Sequence, residues 1–116
     1  MPLQVSELGM LQDFGAQLVR CHDNVRYVAF ALIGAVVLYR DPDSEIRVDP
    51  RAGLRPSVLW FSIGRCQYAL HYNKESANVL LRRRTTDGDI VAGFSDRTNI
   101  RNLADVFKEL RNTSKR

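Results

Sequence analysis

The dipeptide Gly64-Arg65 stands between two runs of alternating character, SVLWFSI and CQYALHYN. A two-residue link with glycine first is a hairpin turn, and it sets Ile63 opposite Cys66, Phe61 opposite Tyr68, and Leu59 opposite Leu70. One face of the pair is then apolar throughout. A slip of one residue would turn that whole set to solvent, so the pattern dictates the register. Asn73–Ser76 reads as the next turn, pairing Leu70 with Val79 and Tyr68 with Leu81. Asp87-Gly88 is a strong hairpin signal that pairs Leu81 with Phe94. Three turns, each read from its own residues, agree on one buried face.

Helices are expected on either side of this meander. Ser6 opens the first, with Leu8, Leu11, Gly15, Leu18 and Val19 on one face, ending near Cys21 or His22. Asp23 and Asn24 are placed to cap the next element. Tyr27–Tyr39 is ambiguous. Its β-branched residues suit a strand, but Ala29, Ala31 and Ala35 favour a helix. As a helix it carries one stripe of Val25, Val28, Leu32, Val36 and Tyr39, and another of Phe30, Ile33 and Val37. A helix apolar nearly all round must be covered on both sides. EIRVDP is a short strand stopped by proline. Thr98 or Asn99 caps a closing helix with the stripe Ile100, Leu103, Val106, Phe107 and Leu110, followed by a basic tail. The expected architecture is α+β, with an antiparallel meander of about five strands, N-terminal helices, and a C-terminal helix packed on the sheet.

A chain of 116 residues is one domain, residues 1–116, by length. Its charge is uneven. Residues 1–81 hold eight basic and eight acidic side chains, whereas residues 82–116 hold nine basic and five acidic, so the second stretch carries the whole net +4. A basic end attracts acidic partners, although this excess is also an ordinary aid to solubility. Two cysteines, Cys21 and Cys66, and an N-terminus without a signal-peptide pattern point to reduced thiols and a cytoplasmic location. The Tyr27–Tyr39 run falls short of the roughly 20 residues a membrane helix needs.

Catalytic chemistry finds little support. Cys21 and His22 are adjacent, and Cys66 and His71 point to opposite faces of one strand, so no metal site is expected from them. Cys66 reads instead as a small buried hydrophobe. Asp41, Asp43 and Glu45 lack the glycine and distal glutamate of a calcium loop. A nucleophile elbow and a phosphate-gripping glycine loop are both missing. No cofactor and no catalytic residue is assigned, and the reading leans away from an enzyme.

The reverse face of the sheet is the unexplained feature. It carries Val58, Trp60, Ala69 and Leu80 as an apolar patch, ringed by Gln67, His71, Asn78, Arg82 and Arg84, where a solvent face would be polar. Three explanations compete. The Tyr27–Tyr39 segment covers part of the patch in a three-layer fold. Alternatively Trp60, Leu80, Val58 and Ala69 form a homodimer interface, with or without that helix. In the third, Trp60 stacks on the bases of a nucleic acid while Arg82 and Arg84, with His71 and Gln67, hold its backbone.

The stretch from VLWFSIGRCQYALHYN to FSDRTNIRNLADVFKEL, with its Y-A-L-x-Y return strand and T-x-x-x-x-L-x-x-V-F helix, resembles short orphan proteins encoded by integron gene cassettes. The resemblance covers roughly the C-terminal half. It implies a bacterial or environmental origin, a compact α+β fold and frequent homo-oligomerisation, but no activity and no site residues. The expectation is a soluble protein that works by binding, as a homodimer. The alternatives are a basic nucleic-acid-associated accessory protein, then a small enzyme or ligand carrier.

Overall fold

The computed structural model describes residues 5–21, 23–49, 58–85 and 88–113. In chain order these form helix α1 (Val5–Cys21), a short 3-10 turn (Asp23–Val25), helix α2 (Val28–Tyr39), and strands β1 (Arg47–Asp49) and β2 (Val58–Ile63). Strands β3 (Cys66–Asn73), β4 (Asn78–Arg83) and β5 (Ile90–Phe94) come next, then helix α3 (Ile100–Thr113). The strands pair antiparallel in sequential order, β1-β2-β3-β4-β5. The α+β class and the meander are as expected, and the ambiguous segment is a helix.

The inner sheet face supplies Leu59, Phe61, Ile63, Tyr68, Leu70, Val79, Leu81 and Phe94 to a single buried cluster with residues of all three helices. Phe107 of α3 is its hub. Its ring stacks on those of Phe61, Phe94 and Tyr39 at centroid distances of 6.1, 6.3 and 6.3 Å, spacings at which aromatic pairs attract beyond their buried area. Val28, Ala29, Leu32 and Val36 of α2 belong to the same cluster, and Val58, Ala69 and Leu80 do not. Among the described residues the helices and the sheet form two layers. The expectation that Tyr27–Tyr39 covers the Trp60 face is corrected: α2 lies with the other helices, against the opposite side of the sheet.

The β2–β3 register is the one the pattern dictates, with Leu59 opposite Leu70, Phe61 opposite Tyr68 and Ile63 opposite Cys66. Its turn differs in type. A glycine-first turn needs a left-handed backbone only at its first residue, yet both Gly64 (φ 59°) and Arg65 (φ 68°) are left-handed. The cause is Asp41, whose carboxylate accepts from both amides, Gly64 N–H at 2.6 Å and Arg65 N–H at 2.7 Å.

The next two registers are displaced by two residues. Leu70 pairs with Leu81 and Tyr72 with Val79, not Leu70 with Val79 and Tyr68 with Leu81. Asn73 stays in the strand, its side chain accepts from the Glu75 and Ser76 amides, and Ala77 closes the loop at φ 54°. Phe94 accordingly pairs with Val79 and Ala92 with Leu81, with an irregularity beside Arg82. A two-residue shift preserves which face each side chain occupies, so the core survives the correction. Asp87 lies outside the described residues, as do His22, Pro50 and the tail beyond Thr113.

On the helices, Phe14 is buried and Leu8, expected on the buried face, is not; Ile100, expected in the closing stripe, is exposed. Asn99 is the cap of α3, accepting from Arg101 N–H at 2.8 Å. Among the described residues no helix is long and apolar enough to cross a membrane.

Candidate interaction surface

Helix α2 reads VAFALIGAVVLY, without one charged residue. It has no means of its own to satisfy its terminal amides and carbonyls or to complement its dipole. Both ends are held by side chains from the far end of the chain. At the start Asp96, in the loop before α3, accepts from three successive backbone amides: Arg26 at 3.1 Å, Tyr27 at 2.8 Å and Val28 at 2.9 Å. The Asp96 amide in turn donates to the Asn24 carbonyl at 2.8 Å, and the Asn24 side chain donates to Ala77 of the β3–β4 loop. At the other end Arg111 of α3 donates to the Leu38 carbonyl at 3.1 Å, with its guanidinium 4.7 Å from the centre of the Tyr39 ring. An anion at the N-terminus and a cation at the C-terminus are the favourable arrangement.

So anchored, α2 sits between its two neighbours, with contacts to α1 on one side and α3 on the other; Ile33 lies against Gly15 of α1. Its inner arc, Val28, Leu32, Ala35 and Val36, is buried. The outer arc is apolar too and is not covered. Tyr27 is 79 % exposed, Phe30 63 %, Leu38 65 % and Val37 39 %. With exposed Gly34, these side chains fall within about 100° of the helix circumference, given the 3.6-residue period. Scattered apolar side chains on a surface are ordinary, but a contiguous apolar stripe marks an interaction site.

The reverse sheet face assembles as its register predicts. Trp60 is flanked across the strands by Arg47 on one side and Ala69 on the other, and Ala69 by Arg82. Of the four residues read as an interface, three have no surface to offer, since Val58, Ala69 and Leu80 are 2, 0 and 5 % exposed within the single chain. Trp60 is half-buried. The polar ring is engaged locally. Arg82 donates through Nε to His71 Nε2 at 3.2 Å and through a terminal nitrogen to the Gly88 carbonyl at 2.9 Å. Gln67 donates its side-chain amide to the Arg84 carbonyl at 3.0 Å. Arg84 and Gln67 are exposed, and Arg47, which the sequence did not bring forward, extends the basic surround of Trp60.

Cys66 is exposed, not buried. It has the core-facing parity of its strand and sits next to the turn, across from buried Ile63. Nearby Tyr68 is buried, and that burial pushes its phenol above the ordinary tyrosine value, with Cys66 adding to the shift and Arg83 opposing it. A depression of about 410 Å³ lies by the same turn, lined by Asp41, Asp43, Ser44, Ser62 and Arg65 among others. Asp41, its central carboxylate, is already committed to the turn amides.

The outer arc of α2 escapes a reading of the sequence because two apolar stripes are on offer and neither says which neighbour covers it. The second stripe, Phe30, Ile33 and Val37, is the available signal, although Ile33 packs on Gly15 of α1.

Comparison with known proteins adds one finding. The family model described as integron cassette protein VCH_CASS1 chain matches residues 15–104, a span from the middle of α1 into α3. No curated protein matches the chain.

Proposed function

The chain belongs to the integron cassette protein VCH_CASS1 family, whose function is unknown, and we propose that it works by binding, as a homodimer joined through the outer face of α2. One observation carries this reading: the central helix of the helical layer exposes Tyr27, Phe30, Val37 and Leu38 in one stripe, with no charged side chain among them. Leaving such side chains in water forgoes roughly 25 cal/mol for every Å² of apolar area that a partner would cover. A two-fold dimer is the commonest arrangement that covers one patch with itself. Light scattering on a sizing column tests it. The expected mass is twice the 13.2 kDa of the chain, falling to one chain mass in the Phe30→Glu/Leu38→Glu variant with the helical circular dichroism retained. A variant with unchanged native mass would remove this face from the proposal.

A second reading rests on Arg47. It stands directly across from Trp60, with Arg82 one strand further along the same row beyond Ala69 and exposed Arg84 just past the end of β4, an aromatic with nearby cations of the kind that single-stranded nucleic acid uses. Affinity for an oligonucleotide is then expected to fall steeply with salt and to weaken in Arg47→Ala/Arg84→Ala. Salt-insensitive binding would eliminate it.

A further inference from the structure

The geometry points to one specific mode of self-association: two copies of α2 crossing antiparallel at Gly34, with Phe30 of each packed on Leu38 of the other. This rests on the homodimer reading and adds the register, the direction and the charge pairing.

The exposed stripe is symmetric about Gly34. Phe30 lies one helical turn before it and Leu38 one turn after, and both point outward. Running a second α2 antiparallel across the first, with the two-fold axis at Gly34, puts each Phe30 over the partner's Leu38 and each Val37 over the partner's Ala31. A parallel pairing would stack Tyr27 on Tyr27 and Phe30 on Phe30, and would align the two helix dipoles unfavourably. Gly34 supports the crossing point. A side chain built there meets nothing within 4 Å in the single chain, so no contact inside the fold calls for the missing side chain. A glycine in a helix interior is unfavourable relative to alanine, and close approach of a second backbone is what a missing side chain allows.

The ends of the helix agree with this direction. The N-terminal end carries exposed Arg26 and Arg97, the latter beside the capping Asp96. Past the C-terminal end come exposed Asp43 and Glu45. Of the other charged groups at these ends, Asp96 accepts from the helix amides, Asp41 accepts from the Gly64 and Arg65 amides, Arg40 is buried, and Arg111, exposed, donates to the Leu38 carbonyl. An antiparallel pair brings the basic end of each helix to the acidic end of its partner twice over. A parallel pair would set like against like. Complementarity of this kind fixes orientation more than affinity.

The test uses the full chain with Cys21 and Cys66 replaced by serine and Gly34→Cys introduced. Thiols on the two-fold axis of crossed helices fall within disulfide reach, so mild oxidation is expected to convert the protein to a covalent dimer, while Leu8→Cys in the same background stays monomeric on a denaturing gel. In a second arm Arg26→Glu weakens the dimer about fivefold, and adding Asp43→Arg restores it. A dimer by light scattering that neither crosslinks at position 34 nor shows charge-reversal rescue overturns this geometry and leaves the homodimer reading standing. A monomer at the highest concentration reached overturns both and assigns the stripe to a different partner.

Discussion

The two apolar surfaces outside the core differ in one respect that decides their use. On the reverse face of the sheet the apolar side chains lie beneath their surroundings, with Ala69 between Trp60 and Arg82, and Val58, Ala69 and Leu80 are closed to solvent. On α2 the apolar side chains stand outermost, and Tyr27, Phe30 and Leu38 keep well over half of their surface. Similar residue types thus serve opposite purposes. In the sheet they are a second, minor site of burial, and on the helix they are surface held in reserve.

A charge placed on each surface in turn should separate the two most strongly. Leu80→Arg buries a cation at a position only 5 % exposed and is expected to cost about 3 kcal/mol or more in urea unfolding, enough to unfold a marginal domain. Leu38→Arg is expected to leave the midpoint of unfolding at low protein concentration within about 0.5 kcal/mol of wild type, while abolishing the dimer. If Leu80→Arg folded normally, the reverse face would be the open surface after all.

A smaller effect is expected from the anchors of α2. Asp96→Ala leaves three backbone amides without their acceptor, at a cost of about 1–2 kcal/mol by analogy with lost helix caps. Because the same change loosens the start of α2, it should also weaken the dimer, whereas Asn99→Ala, a cap on α3, should lower stability by a similar amount with little effect on association.

How far these features can be read from residues alone depends on the distance between the partners. The β2–β3 register is legible because Leu59, Phe61 and Ile63 face Tyr68 and Leu70 across a turn of two residues. The β3–β4 register is not, because the loop is closed by Ala77 in a left-handed conformation that alanine rarely adopts, which no propensity signals. Sequence points to Asp23 and Asn24, the near neighbours, as the cap of α2, and the cap is supplied by Asp96. Asn24 has a different task, joining the 3-10 turn to the β3–β4 loop. The exposure of Phe30 and Leu38 is hidden for a related reason: α2 is apolar all round, so periodicity carries no information about which side the sheet takes.

The smallest effect concerns alkali. Burial raises the Tyr68 phenol above its ordinary value, so the folded state favours the neutral form. That contribution is fully present below the unfolded phenol value of about 10 and is lost as the pH rises through the folded one. Tyr68→Phe should therefore flatten the decline in stability between those two values. An unchanged decline would assign it to other groups.

Helix α2 carries an uncovered apolar surface, and its proposed partner is a second copy of itself. Light scattering of the native protein across a dilution series bears on that pairing without any substitution. Twice the 13.2 kDa chain mass is expected at high concentration, with dissociation on dilution and Phe30→Glu/Leu38→Glu at one chain mass throughout. A native protein that stays at one chain mass at every concentration would contradict it.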